Sequence, residues 1–208
     1  MHLNQHFLLE NYKFLAQPGV HQIKLVFGGS DSELLISLAF TLTSRSKSSF
    51  FSLTAFIEPL LKIFKRIFKA PINDVFDAYT NPSLFEQWFH PQGAKTKVYR
   101  FNIEEGGEVF FAIETSEQTS YTLTEYRKVD RPKYLEYFDY FATPEGEKDT
   151  RLPGMHISIN FNSDNKQMTT ITSTSVFPTK EAAQQAVGMG IEAGMNSTLD
   201  QLEALLNE

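Results

Sequence analysis

Four side chains of this sequence combine acid–base chemistry with aromatic surroundings: His90, Glu125, Glu136 and His156. His90 closes the stretch APINDVFDAYTNPSLFEQWFHP at residues 70–91 and follows Trp88, the only tryptophan. A histidine acts as a general base only when a partner fixes its tautomer and sets its pKa, and no nearby motif supplies one. The sequence His90-Pro91 is instead typical of a helix end at the surface. We therefore predict that His90 is a bystander and that no residue is catalytic.

The other three candidates lie in segments with strand character. Glu125 shares a strand face with Tyr121, so an inward orientation would supply one polar contact in an apolar pocket. Glu136 lies on a face rich in aromatic residues, and two inward acids are able to do acid–base work. Aromatic residues occupy both faces of these strands, which leaves the inward face ambiguous and favours solvated acids over an inward pair. His156 alternates with polar residues and is predicted to face water.

Composition restricts the classes of function. The 208 residues are 41% hydrophobic and include 19 Phe, which supports a folded core rather than a disordered chain. The formal net charge of −6 leaves no excess of Lys and Arg to neutralise the phosphates of a nucleic acid. The absence of Cys excludes disulfides, thiolate nucleophiles and Cys-ligated metals. Neither histidine spacing nor a phosphate-binding glycine motif indicates a metal or cofactor, so we predict neither.

Signals for targeting are weak in this sequence, and we expect none. Its N-terminus, MHLNQHFLLENYKF, lacks the basic start and the continuous apolar core of a signal peptide. The apolar run ELLISLAFTL at residues 33–42 is shorter than the roughly 20 residues that span a bilayer. We therefore predict a cytoplasmic protein without stable membrane insertion.

Charge and composition divide the chain near residue 60. Residues 1–60 contain four basic and four acidic residues, so the whole net charge of −6 lies in residues 61–208. The Ser-rich stretch SRSKSSF at residues 44–50 is typical of a linker. We predict an N-terminal extension over residues 1–60 and a main domain over residues 61–208. The sequence leaves the role and the order of the extension open.

The segment IEPLLKIFKRIFKAP at residues 57–71 fits two structures. As a helix, its apolar residues recur at intervals of three and four, which describes a basic amphipathic helix able to lie on an anionic membrane. As a strand, it alternates so that both faces carry some apolar bulk. Periodicity alone favours the helix, whereas the family resemblance described below favours the strand, which we adopt.

The chain after residue 70 has clear breaks between its elements. Two short helices, INDVFDAY and SLFEQWF, are predicted first, and Asn81-Pro82 caps the second. Six segments rich in β-branched and aromatic residues then alternate with turn-forming segments. One long helix should follow from about Lys180 to Leu206, with Thr179 as its N-cap. This order predicts an α+β domain whose antiparallel sheet wraps around the last helix.

Several short motifs resemble one family in their order and spacing. They are Lys69-Ala70-Pro71, Asp74 to Ala78, Asn81-Pro82, Gln87-Trp88-Phe89 with Pro91, Phe101 to Gly107, Tyr121 to Pro132 with Leu135, and Gly190, Gly194 and Leu202. Together they are similar to the activator-of-Hsp90-ATPase-homologue family of the START/Bet v 1-like superfamily, over residues 61–207. The resemblance implies a helix-grip fold, in which seven antiparallel strands grip the C-terminal helix. It also implies a cavity for an apolar small molecule between sheet and helix.

Glycines in the last helix give independent support for such a cavity. Gly188, Gly190 and Gly194 each cost about 1 kcal/mol relative to alanine inside a helix, so some benefit should compensate. That benefit is either close contact between helix and sheet or space for a ligand. The predicted lining of the cavity is Trp88, Phe110, Tyr121, Glu125, Tyr137, Met189, Gly190 and Gly194.

The function predicted from these features is binding of a hydrophobic or amphipathic small molecule without catalysis. Two alternatives use the same domain: a module that interacts with a chaperone, and an enzyme of cyclase or hydrolase type. The sequence names neither the ligand nor the oligomeric state.

Overall fold

The computed structural model describes two separate parts of the chain. In the first part it describes only the backbone of three short strands, β1 (Tyr12–Leu15), β2 (Lys24–Phe27) and β3 (Glu33–Leu34). In the second part it describes residues 60–208, except residue 166 and the side chains of residues 164 and 165. The chain divides into two compact units, Met1–Phe56 and Ile57–Glu208.

The first unit contains a small antiparallel sheet. Its strand order is β1-β2-β3, and Tyr12 to Leu15 pair with Phe27 to Lys24. The predicted linker at residues 44–50 lies outside the described residues.

The second unit is built on a seven-stranded antiparallel sheet. Its strands are β4 (Leu61–Phe68), β5 (Lys95–Phe101), β6 (Glu108–Glu114), β7 (Thr119–Asp130), β8 (Tyr134–Ala142), β9 (Met155–Asn165) and β10 (Met168–Val176). The strand order is β4-β10-β9-β8-β7-β6-β5, so β5 to β10 form a meander and β4 joins it beside β10. The predicted α+β class and helix-grip sheet are confirmed.

Strand β4 resolves the ambiguity of the segment around residues 57–71. It is a strand, paired with β10 from Leu61↔Val176 to Phe68↔Thr169. Phe64 and Phe68 are buried against the helices, whereas Ile63 and Ile67, on the opposite face, are 43% and 52% exposed. The apolar residues on both faces of this edge strand explain why its periodicity imitated that of a helix.

Two short helices follow β4, as predicted. Helix α1 (Ile72–Thr80) buries Val75 and Phe76 completely. Helix α2 (Pro82–Trp88) begins at Asn81, whose side chain accepts a hydrogen bond of 2.9 Å from the backbone N–H of Ser83. The fixed φ of the proline at the first helical position suits this start.

The predicted long C-terminal helix is two helices, α3 (Lys180–Gly188) and α4 (Ile191–Leu206). Thr179 caps α3 by accepting a hydrogen bond from the N–H of Ala182. The chain turns at Met189 and Gly190, where Gly190 has a φ of +83°. The prediction of one continuous helix was wrong because Gly190 stands at a left-handed turn rather than inside a helix, a conformation that glycine adopts without steric cost.

The two faces of the seven-stranded sheet have different partners. The inner face, which packs against α1, α2 and α4, carries Val109 and Phe111 in one core cluster with Leu199 and Leu202. Side chains alternate along a strand, so the residues between them, Phe110 among them, belong to the outer face.

Candidate functional site

The space between the inner face and α4 is closed at one end by α1 and α2. Trp88 is fully buried there, and its indole N–H donates a hydrogen bond of 2.9 Å to the carbonyl of Ala78. Its ring packs edge-on against Tyr79, with 4.6 Å between centroids. Leu202 of α4 is also fully buried in this cluster. This closed end is ordinary close-packed core.

Apolar packing is interrupted toward the other end of α4. A second, smaller core cluster joins Phe177 to the alanines of α3, and it is separate from the main cluster. Met155 is half-buried and packs against both clusters. The region between them, at the start of α4, is the candidate site.

Gly194 opens this region on the helix side. It is half-buried, on the stripe of α4 that also carries the buried residues Thr198 and Leu202. A Cβ placed on Gly194 would meet no atom within 4 Å. The glycine therefore does not serve close contact between helix and sheet. Met195 beside it is half-buried and flexible, as suits a wall that adapts to its contents.

Asp139 is the acidic group of this region. It lies on β8 opposite Thr124 of β7 and Met155 of β9, on the same face as the buried Leu135 and Tyr137. The hydroxyl of Thr124 donates a hydrogen bond of 2.5 Å to Oδ1 of Asp139. Burial raises the pKa of Asp139 to about 6, and this hydrogen bond opposes the rise.

Two tyrosines of the sheet lie near the acid, and a third buried tyrosine lies on α1. Tyr126 and Tyr137 are cross-strand neighbours with ring centroids 5.1 Å apart, and both are buried. Burial, and secondarily the charge of Asp139, raises the pKa of both hydroxyls. Burial likewise raises the pKa of Tyr79 on α1. Within residues 60–208, none of these three hydroxyls hydrogen-bonds to a described residue, so they present neutral polar groups inside an apolar wall.

Comparison with known proteins identifies the domain. The family model described as activator of Hsp90 ATPase homolog 1-like protein matches residues 69–207. The chain belongs to this family. A solution NMR structure of a Staphylococcus epidermidis protein is similar at 61% identity and a TM-score of 0.65, over 71% of this chain and 90% of that chain. No sequence among the curated proteins matches the chain.

More distant solved structures share the fold. An Arthrobacter aurescens protein has 22% identity and a TM-score of 0.68, over 80% of this chain and 92% of that chain. A Mycobacterium smegmatis protein has 24% identity and a TM-score of 0.67, over 72% of this chain and 92% of that chain. These likenesses concern the architecture of the Hsp90-activator-like domain alone.

The structure divides the residues that the sequence placed in the cavity. Trp88 and Tyr137 lie on the inner side in the main core cluster, and Gly194 lies on the inward stripe of α4. Met189 is 63% exposed, and Gly190 forms the exposed turn between α3 and α4. Neither residue lines the interior, so their assignment to the cavity wall was wrong. Both were placed by assuming one unbroken helix.

Phe110, Tyr121 and Glu125 are corrected more sharply, because they lie on the outer face of the sheet. Phe110 and Tyr121 stack there with centroids 6.1 Å apart, and the loop after β8 covers Phe110 at Gly146. Glu125 forms an ion pair of 2.7 Å with Lys148 of that loop. On β6 the residues that turn toward α4 are Val109 and Phe111. Phe110, Tyr121 and Glu125 therefore lie on the opposite face of the sheet from α4.

Glu136 and His156 were predicted to be solvated, and this was wrong. They are 2% and 4% exposed, and Nε2 of His156 lies 3.0 Å from Oε1 of Glu136. The hydroxyl of Tyr134 donates to the other carboxylate oxygen at 2.9 Å. This buried polar cluster also lies on the outer face, in register with Phe138.

His90 lies at the end of α2 and is half-buried, with Nδ1 3.1 Å from the carbonyl of Pro91. No acidic side chain pairs with it in the described part of the chain. Among residues 60–208 we find no cluster of three or more His, Asp or Glu side chains able to hold a metal. No helix of that region combines the length and apolar character needed to cross a bilayer.

The polar residues of the inner face were missed by sequence reasoning. In β8 the sequence Leu135-Glu136-Tyr137-Phe138-Asp139 alternates between two plausible inward sets, one with Glu136 and one with Asp139. Leu135 could have indicated the inward face, because this aliphatic residue shares a face with Asp139. The face of Glu136 carries aromatic residues and, at the end of the strand, Ala142.

Proposed function

We propose that residues 61–208 form a domain that binds a small apolar or amphipathic molecule without catalysis. The ligand lies between α4 and the inner face of β7 to β9. The observation that carries this proposal is the half-buried Gly194, which faces open space directly after the break in the C-terminal helix.

The chemistry of the surrounding residues supports this proposal. Met155 and Met195 supply flexible apolar contacts, and both are half-buried rather than packed away. Thr124, Tyr126, Tyr137 and Asp139 supply a few polar groups at one position in an otherwise apolar wall. Apolar walls with a small number of convergent polar groups are typical of small-molecule sites.

The test uses native mass spectrometry of protein purified without denaturation, together with titration of the neutral fluorescent probe N-phenyl-1-naphthylamine. We expect the wild type to bind the probe and Gly194→Leu to weaken binding about 10-fold or more, because the side chain occupies the space a ligand needs. Gly188→Leu is the matched control, since Gly188 is exposed at the end of α3 and its Cβ also meets no atom.

Thermal unfolding of both variants shows whether they remain folded. If both leucine variants bind the probe as tightly as the wild type, or if the wild type neither binds it nor carries an adduct, the proposed site is wrong.

Interaction with a chaperone is the second candidate, and the description of the family favours it. It predicts that the domain binds Hsp90 and raises its ATPase rate, and that Gly194→Leu leaves both unchanged. An ATPase assay with the purified chaperone checks this, and absence of both binding and stimulation contradicts it.

A further inference from the structure

We propose that the ligand carries a protonated amine or quaternary ammonium group beside its apolar body, with Asp139 as counter-ion and the rings of Tyr126 and Tyr137 as its surroundings. This rests on the proposed binding function and specifies the ligand class.

The first argument is the unbalanced charge of Asp139. Several other carboxylates of the domain have a cationic partner: Glu125 has Lys148 at 2.7 Å, Asp77 has Arg131 at 2.6 Å, and Glu192 has Lys62 at 2.8 Å. Asp139 has none among the described residues, although it is half-buried whereas Glu192 is exposed. A buried carboxylate without a cation is costly, and a cationic ligand removes that cost.

The second argument is that one oxygen of the Asp139 carboxylate can still accept a hydrogen bond. Oδ1 accepts the hydrogen bond from Thr124, whereas Oδ2 accepts none from any residue that the structure describes. Thr124 therefore orients the group and leaves one oxygen for a donor that comes from outside the chain. An ammonium is such a donor, and charge-assisted hydrogen bonds are the strong ones.

The third argument is the aromatic lining. Tyr126 and Tyr137 lie on the same face as Asp139 and form the cross-strand pair two positions from the Thr124–Asp139 pair. The face of an aromatic ring attracts a cation within about 6 Å of its centroid, most strongly where water is excluded. Because burial raises the pKa of both hydroxyls, they stay neutral near pH 7 and add no second negative charge beside Asp139.

The two cationic residues on the inner face of β4 are already engaged. Lys62 and Arg66, which share the inner face, pair with Glu192 and Asp200 of α4 at 2.8 Å each. They are therefore not available to neutralise Asp139. An anionic ligand such as a fatty acid would bring a second carboxylate toward the first, so the site selects against it.

The test compares three probes that share a ten-carbon chain: decylamine, 1-decanol and decanoate. Each displaces N-phenyl-1-naphthylamine from the wild type, from Asp139→Asn and from Glu125→Gln at pH 7.5. We expect the wild type to prefer decylamine over 1-decanol about 10-fold, as an added charge pair in a partly dry site allows. Asp139→Asn should bring the two affinities within about 2-fold while it keeps the affinity for 1-decanol.

Glu125→Gln is the matched control, because it removes a carboxylate from the outer face and should leave the preference unchanged. Equal affinity of the wild type for decylamine and 1-decanol, or a preference for decanoate, overturns the amine assignment but leaves the proposed binding function standing. A preference that survives Asp139→Asn also overturns it. If the naphthylamine probe binds none of the proteins, the binding function fails and the ligand class with it.

Discussion

The two ends of the space between α4 and the sheet are built on opposite principles. At the end closed by α1 and α2, Trp88, Val75, Phe76 and Leu202 have no exposed surface, and the one polar atom of the tryptophan is satisfied by a carbonyl. At the other end, Asp139 is half-buried and forms no ion pair with any residue described in 60–208, and Gly194 faces open space. The first end is close-packed throughout. The second end contains an acidic side chain and a helical glycine, neither of which close packing requires.

This difference separates stability from function within one core. Close packing and satisfied hydrogen bonds lower the free energy of the folded state. A buried carboxyl and a glycine inside a helix raise it. Residues that cost stability are typical of functional sites, which is why the second end is the better place for a ligand.

The largest expected effect lies at the closed end. Trp88→Ala removes a fully buried indole and leaves the carbonyl of Ala78 without its donor. We expect a loss of about 3 to 5 kcal/mol in the free energy of unfolding, measured by urea denaturation.

Tyr99→Ala is the control for Trp88→Ala, because Tyr99 is 43% exposed on the outer face. Its loss should be below about 1 kcal/mol. If Trp88→Ala and Tyr99→Ala lower the free energy of unfolding equally, Trp88 is not part of a close-packed end. The proposed difference between the two ends is then wrong.

The next effect lies at the other end and has the opposite sign. Asp139→Asn keeps the shape and an oxygen that accepts from Thr124 but cannot ionise. Because burial raises the folded-state pKa to about 6, the folded wild type binds its proton more tightly than the unfolded chain does. The contribution of Asp139 to the free energy of unfolding therefore falls as pH rises from about 4 to about 6. Above that range, the full cost of the buried charge is present. At pH 7.5 the variant should be more stable by about 1 to 3 kcal/mol.

Denaturation of both proteins at pH 4 and pH 7.5 checks this sign. The advantage of Asp139→Asn should shrink to below about 1 kcal/mol at pH 4, where the folded state is almost fully protonated and the unfolded state is about half protonated. Among the residues that the structure describes, the groups next to Asp139 do not titrate in this range: Thr124 and Met155 are not ionisable, and the raised pKa values keep Tyr126 and Tyr137 neutral. If Asp139→Asn is more stable than the wild type by the same amount at both pH values, the buried charge of Asp139 is not the cause.

Local sequence signals were sufficient for most of the architecture. Asn81-Pro82 and Thr179 cap helices as their side chains predict, and the six strand segments after residue 90 all form strands. These features depend on neighbouring residues, which the sequence displays directly. The family resemblance decided the one segment, β4, whose periodicity fits both structures.

The candidate site was harder because it depends on which strand face turns inward. Phe110, Tyr121 and Glu125 were assigned to the interior, yet the opposite phase packs against α4. Aromatic residues occupy both phases of β6 to β8, since the loop after β8 covers part of the outer face at Gly146 and Lys148. Alternation predicts the inner face only when the outer face is polar.

The smallest expected effect concerns the glycines of the C-terminal helices and sharpens the contrast between packing and open space. Gly194→Ala adds a methyl group that meets no atom within 4 Å, inside a helix that alanine favours. We expect a gain of about 1 kcal/mol in the free energy of unfolding, measured by urea denaturation. Gly190→Ala should lose about 1 kcal/mol instead, because alanine is strained at a φ of +83°.

The opposite signs make this pair informative, since an added Cβ meets no atom within 4 Å at either glycine, while only Gly190 has a positive φ. If Gly194→Ala is destabilising, its methyl group meets atoms, and the space beside α4 is smaller than a ligand requires. If it is stabilising but weakens binding of N-phenyl-1-naphthylamine, the glycine is retained at a cost in stability because the ligand occupies the volume of a single methyl group beside it. The substitution therefore distinguishes a helix that merely tolerates glycine from one that uses it.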